Sequence, residues 1–270
     1  MAERGFRTAK DNEAPLRYGI AAVDRAASIL ETFTDGRALT QAEISRAAGL
    51  SEATTLRYLA SLSRNGLVER DAHSGRYALG LRLFQLGERA LGTDARHAAL
   101  PVMRKLSEGF HETVNLAVRN ANNLVLIEAV ESTQSIRRGA SIGDVDVWHA
   151  SALGKAILAA LPEAEAREMV DGATWVRRTG RTHTTWRGLC EDLAKIRERG
   201  YAVDDEEGEG GLRCVGAAVH DRHGRPHYAL SVSGPANRMD DDAVREIGRA
   251  VEEAAASISA RIGFTLANRA

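Results

Sequence analysis

The chain has 270 residues, 44% of them hydrophobic and 27% charged, with a formal net charge of −1 at pH 7. This suits a globular protein of about two domains and excludes a polyanion binder that works by bulk charge alone. No apolar run approaches the ~18 residues of a membrane span, the first 15 residues carry no secretory pattern, and Cys190 and Cys214 form no CxxC pair, so a reduced cytoplasm is the expected setting.

Residues 1–17 are polar and are expected to form a disordered arm. Val23, Ala26, Ala27, Leu30 and Phe33 recur at helical spacing and predict a helix over Ala22–Phe33, ended by Thr34, Asp35 and Gly36. Thr40 with Glu43 three residues on matches a capping box for a second helix, which Gly49 breaks. Ser51 then caps a third helix, with Glu52 in its first turn. At 100° per residue, Leu56, Leu59, Ala60 and Ser63 fall on one face and Thr54, Arg57, Tyr58 and Ser61 on the other. Hydroxyls, a guanidinium and a phenol suit base edges and phosphates, although a solvated helix face reads the same way.

The stretch LVERDAHSGRYALG follows. Leu67-Val68 and Tyr77–Leu79 read as two short strands around a polar tip containing Ser74-Gly75. Three helices and a hairpin in this order predict a helix-turn-helix with a β-wing, which places one helix in a DNA major groove. Ser51, Thr54, Thr55, Arg57, Tyr58 and Ser61 on the third helix, with Arg70, His73 and Arg76 on the wing, are the candidate DNA contacts. Residues 1–90 carry a net +2 and the remainder −3, a weak electrostatic footprint. Affinity for DNA would then require dimerisation and a local basic face.

A linker helix is expected within residues 81–97, and Pro101 is expected to open a further helix at its first turn. VNLAVR and LVLIEAV read as strands around Asn120-Ala-Asn-Asn. HASALGKAILAAL predicts a helix behind a Ser cap. PEAEAREMV and TTWRGLCEDLAKIRERG predict two more, with Gly200 as a stop. CVGAAV and YALSVSG read as strands around the turn His220–His227, and a long amphipathic helix runs from about Asp241 to Ile262. The fold class is α+β: a winged helix-turn-helix, a linker helix and an antiparallel-sheet domain.

AVDRAASILETF, LTQAEISRAAGLSEATTLRYLASLSRNGLV and GRYALG resemble the DNA-binding half of the IclR family of bacterial transcriptional regulators. HASALGKAILA, RERGYAVDDEE, GLRCVGAAV and SVSGP resemble that family's effector-binding domain, so the likeness runs in order from about residue 20 to 262. It implies a winged-helix domain over 18–80, the linker over 81–97, and a GAF/PAS-like ligand domain over 98–264. It also implies a homodimer or homotetramer acting on double-stranded operator DNA near metabolic genes, more often as a repressor, under control of a small organic or aromatic acid. Glu52, Ser51 and Tyr58 depart from the family's usual residues, which bears on operator specificity.

The resemblance carries ligand-pocket roles onto Ala152, Leu153, Asp204, Cys214, Ser231 and Ser233. Ser231 and Ser233 share a strand parity, and the N–H groups after Ser151 open a helix, so together they suit a carboxylate. Ser151 as a simple cap, Cys214 as a buried thiol and Asp204 as a structural partner are the plainer readings. No metal, cofactor or catalytic residue is expected. His220, Asp221, His223 and His227 have no zinc spacing, Gly154-Lys155 lacks the remainder of a P-loop, and no GxSxG occurs. The rival function is a small-molecule-converting enzyme with a protein-docking winged helix.

Overall fold

The computed structural model describes residues 20–33, 36–91, 93–120, 123–139, 141–171 and 175–264, without the side chains of 88–94. The expected arm over 1–17, the helix-ending Thr34 and Asp35, and the tip residues 121–122 lie outside the described residues. The chain folds as two compact units that divide between residues 92 and 93. No helix among the described residues is long and apolar enough to cross a membrane.

The first unit holds α1 (Ala21–Leu30) with a closing 3-10 turn (Glu31–Phe33), α2 (Gln41–Ala47), α3 (Glu52–Arg64), the strands β1 (Val68–Arg70) and β2 (Tyr77–Leu79), and α4 (Leu81–Leu91). Its core is Ile29, Phe33, Leu39, Ile44, Leu59, Leu62, Val68 and Tyr77. The capping box forms as its sequence specifies: Glu43 N donates to Thr40 Oγ1 at 3.3 Å and Thr40 N to Glu43 Oε2 at 2.7 Å. Thr54 N donates to the Ser51 cap at 3.3 Å, and Gly49, at φ 65°, makes the turn between α2 and α3. Leu39 exchanges backbone hydrogen bonds with Tyr77 at 2.7 and 2.8 Å, which stitches the wing to the segment before α2. A Cβ on Gly80 would meet the Gly66 carbonyl at 2.1 Å, so glycine is required where the wing leaves the helices.

Helix α3 is rotated from its expected phase. Thr55, Leu59 and Leu62 form its buried side, whereas Leu56 is 48% exposed and Ala60 faces solvent. Thr55 is therefore not on the DNA-facing side. The physical reason is spacing: Thr55, Leu59 and Leu62 fall at i, i+4 and i+7, and Val68 and Tyr77 close over that stripe. Likewise Ile29 and Phe33, not Val23 and Ala27, are the buried residues of the first helix.

The second unit contains α5 (Thr93–Phe110), β3 (Thr113–Asn120), β4 (Asn123–Val130), β5 (Val145–Asp146), α6 (Ala152–Ala160), α7 (Glu163–Val170), α8 (Trp186–Arg199), β6 (Ala202–Asp205), β7 (Leu212–His220), β8 (Pro226–Pro235) and α9 (Asp241–Arg261). Six antiparallel strands lie in the order β5-β4-β3-β8-β7-β6. Helix α6 packs on β6, β7 and β8, with α7 and α8 against it, while α5 packs on β3 and β4 and α9 on β7 and β8. Ala117, Ala229 and Leu124 join the α6–α8 core. Val114, Leu116, Leu230 and Val232 have the opposite parity and are buried too, so both faces of the sheet are covered.

Pro101 does not open α5 but sits inside it. An interior proline costs ~3 kcal/mol in an isolated helix. Ala95, Ala99, Met103 and Leu106 are all buried along one stripe while Pro101 faces solvent, so the packed face outweighs the local cost. The expected linker, 81–97, is accordingly shared by α4 and α5.

Thr55 Oγ1 is buried without a hydrogen-bond partner. Thr55→Val replaces that hydroxyl with a methyl of the same shape and should stabilise the first unit by ~1 kcal/mol, read as a raised midpoint in urea unfolding. A lowered midpoint would mean that the hydroxyl has a partner and is not an orphan.

Candidate functional site

Two surfaces carry uncommitted chemistry, one in each unit. On α3 the exposed residues include Ala53, Leu56, Arg57, Ala60, Ser61 and Arg64. No described residue pairs with the Arg57 guanidinium, so it is free to meet a ligand. Ser51 is spent as the helix cap, and its hydroxyl donates to Thr54 Oγ1 at 2.9 Å. Tyr58 is half-buried and packs on the core, which limits its reach. On the wing, Asp71 Oδ1 gathers Ser74 N at 2.6 Å, Ser74 Oγ at 2.7 Å and His73 N at 3.2 Å, a tight Asx turn that presents His73. Arg70 is held by the Gly75 carbonyl at 3.3 Å and lies over the Tyr77 ring. Arg76 donates to the Ala38 carbonyl at 3.0 Å and to Glu43 at 3.3 Å. Arg70 and Arg76 are thus tethered at the tip end of the hairpin and positioned rather than loose.

The second surface is a cavity at the N-terminus of α6. Ala152, Leu153, Asp204, Cys214 and Ser231 line it together with Arg138, Asp146, Arg178 and Glu209. The cavity is narrow, about 20 Å³, room for a single water. Ser151 caps α6 by accepting from Gly154 N at 3.0 Å while donating to the Val147 carbonyl at 2.7 Å. A Cβ at Gly154 would come within 2.6 Å of the Trp148 carbonyl, so this glycine lets α6 start against the preceding loop. The first-turn amides of α6 have no intrahelical acceptor and border the cavity.

Ser233 does not line the cavity. It is fully buried, opposite Cys214 in the sheet, where it accepts from Asn115 Nδ2 at 3.2 Å. Asn115 sits beside Ser231 on the same face, and its Oδ1 is buried without a partner. Burial, then the charge of Asp204, pushes the Cys214 thiol up to about 12, so it stays protonated. Burial, then the charge of Glu207, raises Asp204 to about 7, although Asp204 Oδ1 accepts from Glu207 N at 2.7 Å and Gly208 N at 3.2 Å.

Two guanidiniums were missed by the reading of the sequence because both lie in irregular segments with no periodicity. Arg138 is placed by its own carbonyl, which accepts from Thr113 Oγ1 at 3.0 Å. Burial works against its charge, but the acidic groups around it, Cys214 and Asp146 first, keep its pKa above the usual value. Arg178 is placed by its backbone N–H, which donates to Thr182 Oγ1 at 3.0 Å, and Thr182 in turn donates to the Glu207 carbonyl at 2.7 Å. Arg178 Nε is buried and has no partner among the described residues. Arg178 thus keeps a buried, unanswered donor in the cavity that Arg138 also lines, with Asp146, Asp204 and Glu209 as the acids around Arg138.

Known proteins share this architecture. The family model of the IclR helix-turn-helix domain matches residues 22–72, and that of the bacterial transcriptional regulator IclR C-terminal domain matches residues 90–260. The acetate operon repressor of Salmonella typhimurium is 35% identical over 98% of this chain and 97% of its own length. The regulator KdgR of Escherichia coli is 32% identical over 91% of this chain and 94% of its own. Among solved structures, the Thermotoga maritima IclR superposes with a TM-score of 0.75 at 31% identity, covering 91% of this chain and 100% of that one. An IclR homologue from Microbacterium hydrocarbonoxydans, in complex with 4-hydroxybenzoate, superposes with a TM-score of 0.79 at 27% identity, covering 89% and 98%. With the winged helix, the antiparallel-sheet domain and both family models in register, the chain belongs to the IclR family of bacterial transcriptional regulators.

Proposed function

We propose that the protein is a repressor whose grip on operator DNA is set by a carboxylate effector held between Arg138 and Arg178. The observation that carries this reading is the Arg178 guanidinium, with its buried Nε unanswered, beside Arg138 in the cavity that also receives the start of α6. The cavity holds only one water as it stands, so the acid must widen it on entry, and its carboxylate then gains charge-assisted hydrogen bonds that the free protein lacks. Ser231 supplies a hydroxyl at the floor, and Leu153 supplies the apolar wall for the remainder of the acid. Ser233 and Asn115 flank that hydroxyl on the same face of the sheet. The bound 4-hydroxybenzoate of the Microbacterium homologue is an anion of this class. Turnover is not part of the reading: a thiol raised to about 12 is no nucleophile at neutral pH.

On DNA, α3 enters the major groove. Arg57 takes the base-reading role, with Thr54 and Ser61 beside it and Arg70, His73 and Arg76 steering the wing along the phosphates. Leu56 and Ala60 add apolar surface suited to thymine methyls. The unit's small positive charge calls for two such heads on one operator. Leu81, Phe84 and Leu86 on α4, with Val23 on α1, are exposed apolar residues, a surface that a second copy would cover. Such a protein works in the cytoplasm, where its operator lies. The effector changes occupancy only by its different affinity for the two arrangements of the paired heads.

Arg57→Ala should lose ~1–3 kcal/mol of discrimination at one base pair, measured by gel shift across an operator substitution series. An unchanged preference would remove Arg57 from base reading. Arg178→Gln should weaken release by organic acids such as 4-hydroxybenzoate about tenfold or more, with effector-free operator affinity unchanged. Equal loss of both would mean misfolding, and loss of neither would place the effector elsewhere.

A further inference from the structure

Beside the cavity lies a second constellation that the regulator reading does not use. His183, Asp192 and Glu207 come from three separate segments: the stretch before α8, α8 itself, and the loop after β6. His183 Nε2 stands 3.7 Å from Asp192 Oδ2 and 3.7 Å from Glu207 Oε2. One donor atom from each residue lies within 4.8 Å of the other two. Glu207 is 5% exposed, yet its Oε2 has no hydrogen-bond partner and is turned toward the imidazole. We infer that these three side chains form a site for one divalent transition-metal ion of the zinc type.

The geometry supports an ion over a merely satisfied polar cluster. Ligands held at ~2.0–2.2 Å around a four-coordinate ion stand roughly 3.4 Å apart, so the two 3.7 Å separations need only a small contraction. An imidazole among the donors favours a first-row transition ion over magnesium or calcium. Lys155 is the obvious objection, because its ammonium already lies 2.7 Å from Asp192 Oδ2 and 2.5 Å from Glu207 Oε1. It answers Glu207 through Oε1 and leaves Oε2 without a partner, whereas on Asp192 it shares Oδ2 with the imidazole. It thus acts on the ligands as an orienting donor, and it lowers the donor set's net charge from −2 to −1, which weakens the site without abolishing it. Arg199 Nη2, at 4.0 Å from Asp192 Oδ1, acts in the same direction. His183 and Asp192 also border an open cleft with Gly188 and Lys195, which gives an ion a route from solvent and leaves it a coordination position for water. Because Glu207 N and Gly208 N hold Asp204, an ion on Glu207 would also stiffen one wall of the cavity.

The test uses the full-length protein, stripped with a chelator and then titrated separately with Zn²⁺ and Co²⁺. One ion per chain is expected after gel filtration. The cobalt form should show visible d–d bands stronger than those of the aqueous ion, and zinc should raise the thermal midpoint. His183→Leu, at a half-exposed position, should keep the metal-free midpoint and operator binding yet lose more than roughly tenfold in metal affinity, along with the cobalt bands. Asp192→Asn should weaken binding in the same direction. Absence of saturable binding would overturn the proposal, and so would full binding by His183→Leu. None of these readouts involves an organic acid, so this site and the effector reading fail independently.

Discussion

The buried ammonium of Lys155 is the interaction on which the second unit depends. It is fully enclosed and donates to Asp192 Oδ2, to Glu207 Oε1 and to the Val203 carbonyl, at 2.7, 2.5 and 2.6 Å. A lone buried ammonium would neutralise rather than stay charged, so the site persists only because three acceptors meet three donors. Removing one member of such a cluster typically costs ~3–5 kcal/mol, because the others are left uncompensated. The cluster fastens α6 to α8, to β6 and to the loop that follows β6. Strand β6 and that loop place Asp204 and Gly208 at the cavity wall, and the loop receives Thr179 and Thr182 from the segment that carries Arg178. Cavity shape and cation placement therefore trace back to one lysine.

The two surfaces solve opposite electrostatic problems. The α3 face carries little excess charge, and its first-turn residue, Glu52, satisfies the helix dipole at the expense of phosphate attraction. Tethering Arg70 and Arg76 through backbone carbonyls spares the wing part of the entropy that free arginines would lose on binding. In the cavity, cations and acids are crowded in a small space. There Asp204, raised to about 7 by burial and by Glu207, sheds much of its charge near neutrality and leaves the guanidiniums less contested.

Much of this was legible in the residues. The capping box at Thr40, the Ser51 and Ser151 caps and the Gly200 stop act through neighbours within four residues, so sequence spacing determines them. The sheet position of Ser231 followed from parity. The phase of α3 did not follow from hydrophobicity, because the buried stripe includes a threonine and the exposed face a leucine. Pro101 misled for a related reason: its local cost is visible, while the packing that overrides it comes from α9 and the sheet. Arg138, Arg178, Asn115 and His183 were out of reach, since their roles arise from chain segments distant in sequence. Lys155 is the sharpest case: a lysine in HASALGKAILA reads as a solvated helix residue until three distant partners close around it.

The rims of the six-stranded sheet also differ from its middle. One outer strand, β5, is only two residues long, and the other, β6, ends at Asp205 and runs into Glu206-Glu207, with Arg181 paired to Asp205 and Glu206. Short, charged borders of this kind discourage another chain from adding itself as a seventh strand. A second backbone thus finds no long, neutral border to extend, and the sheet stays closed at six strands.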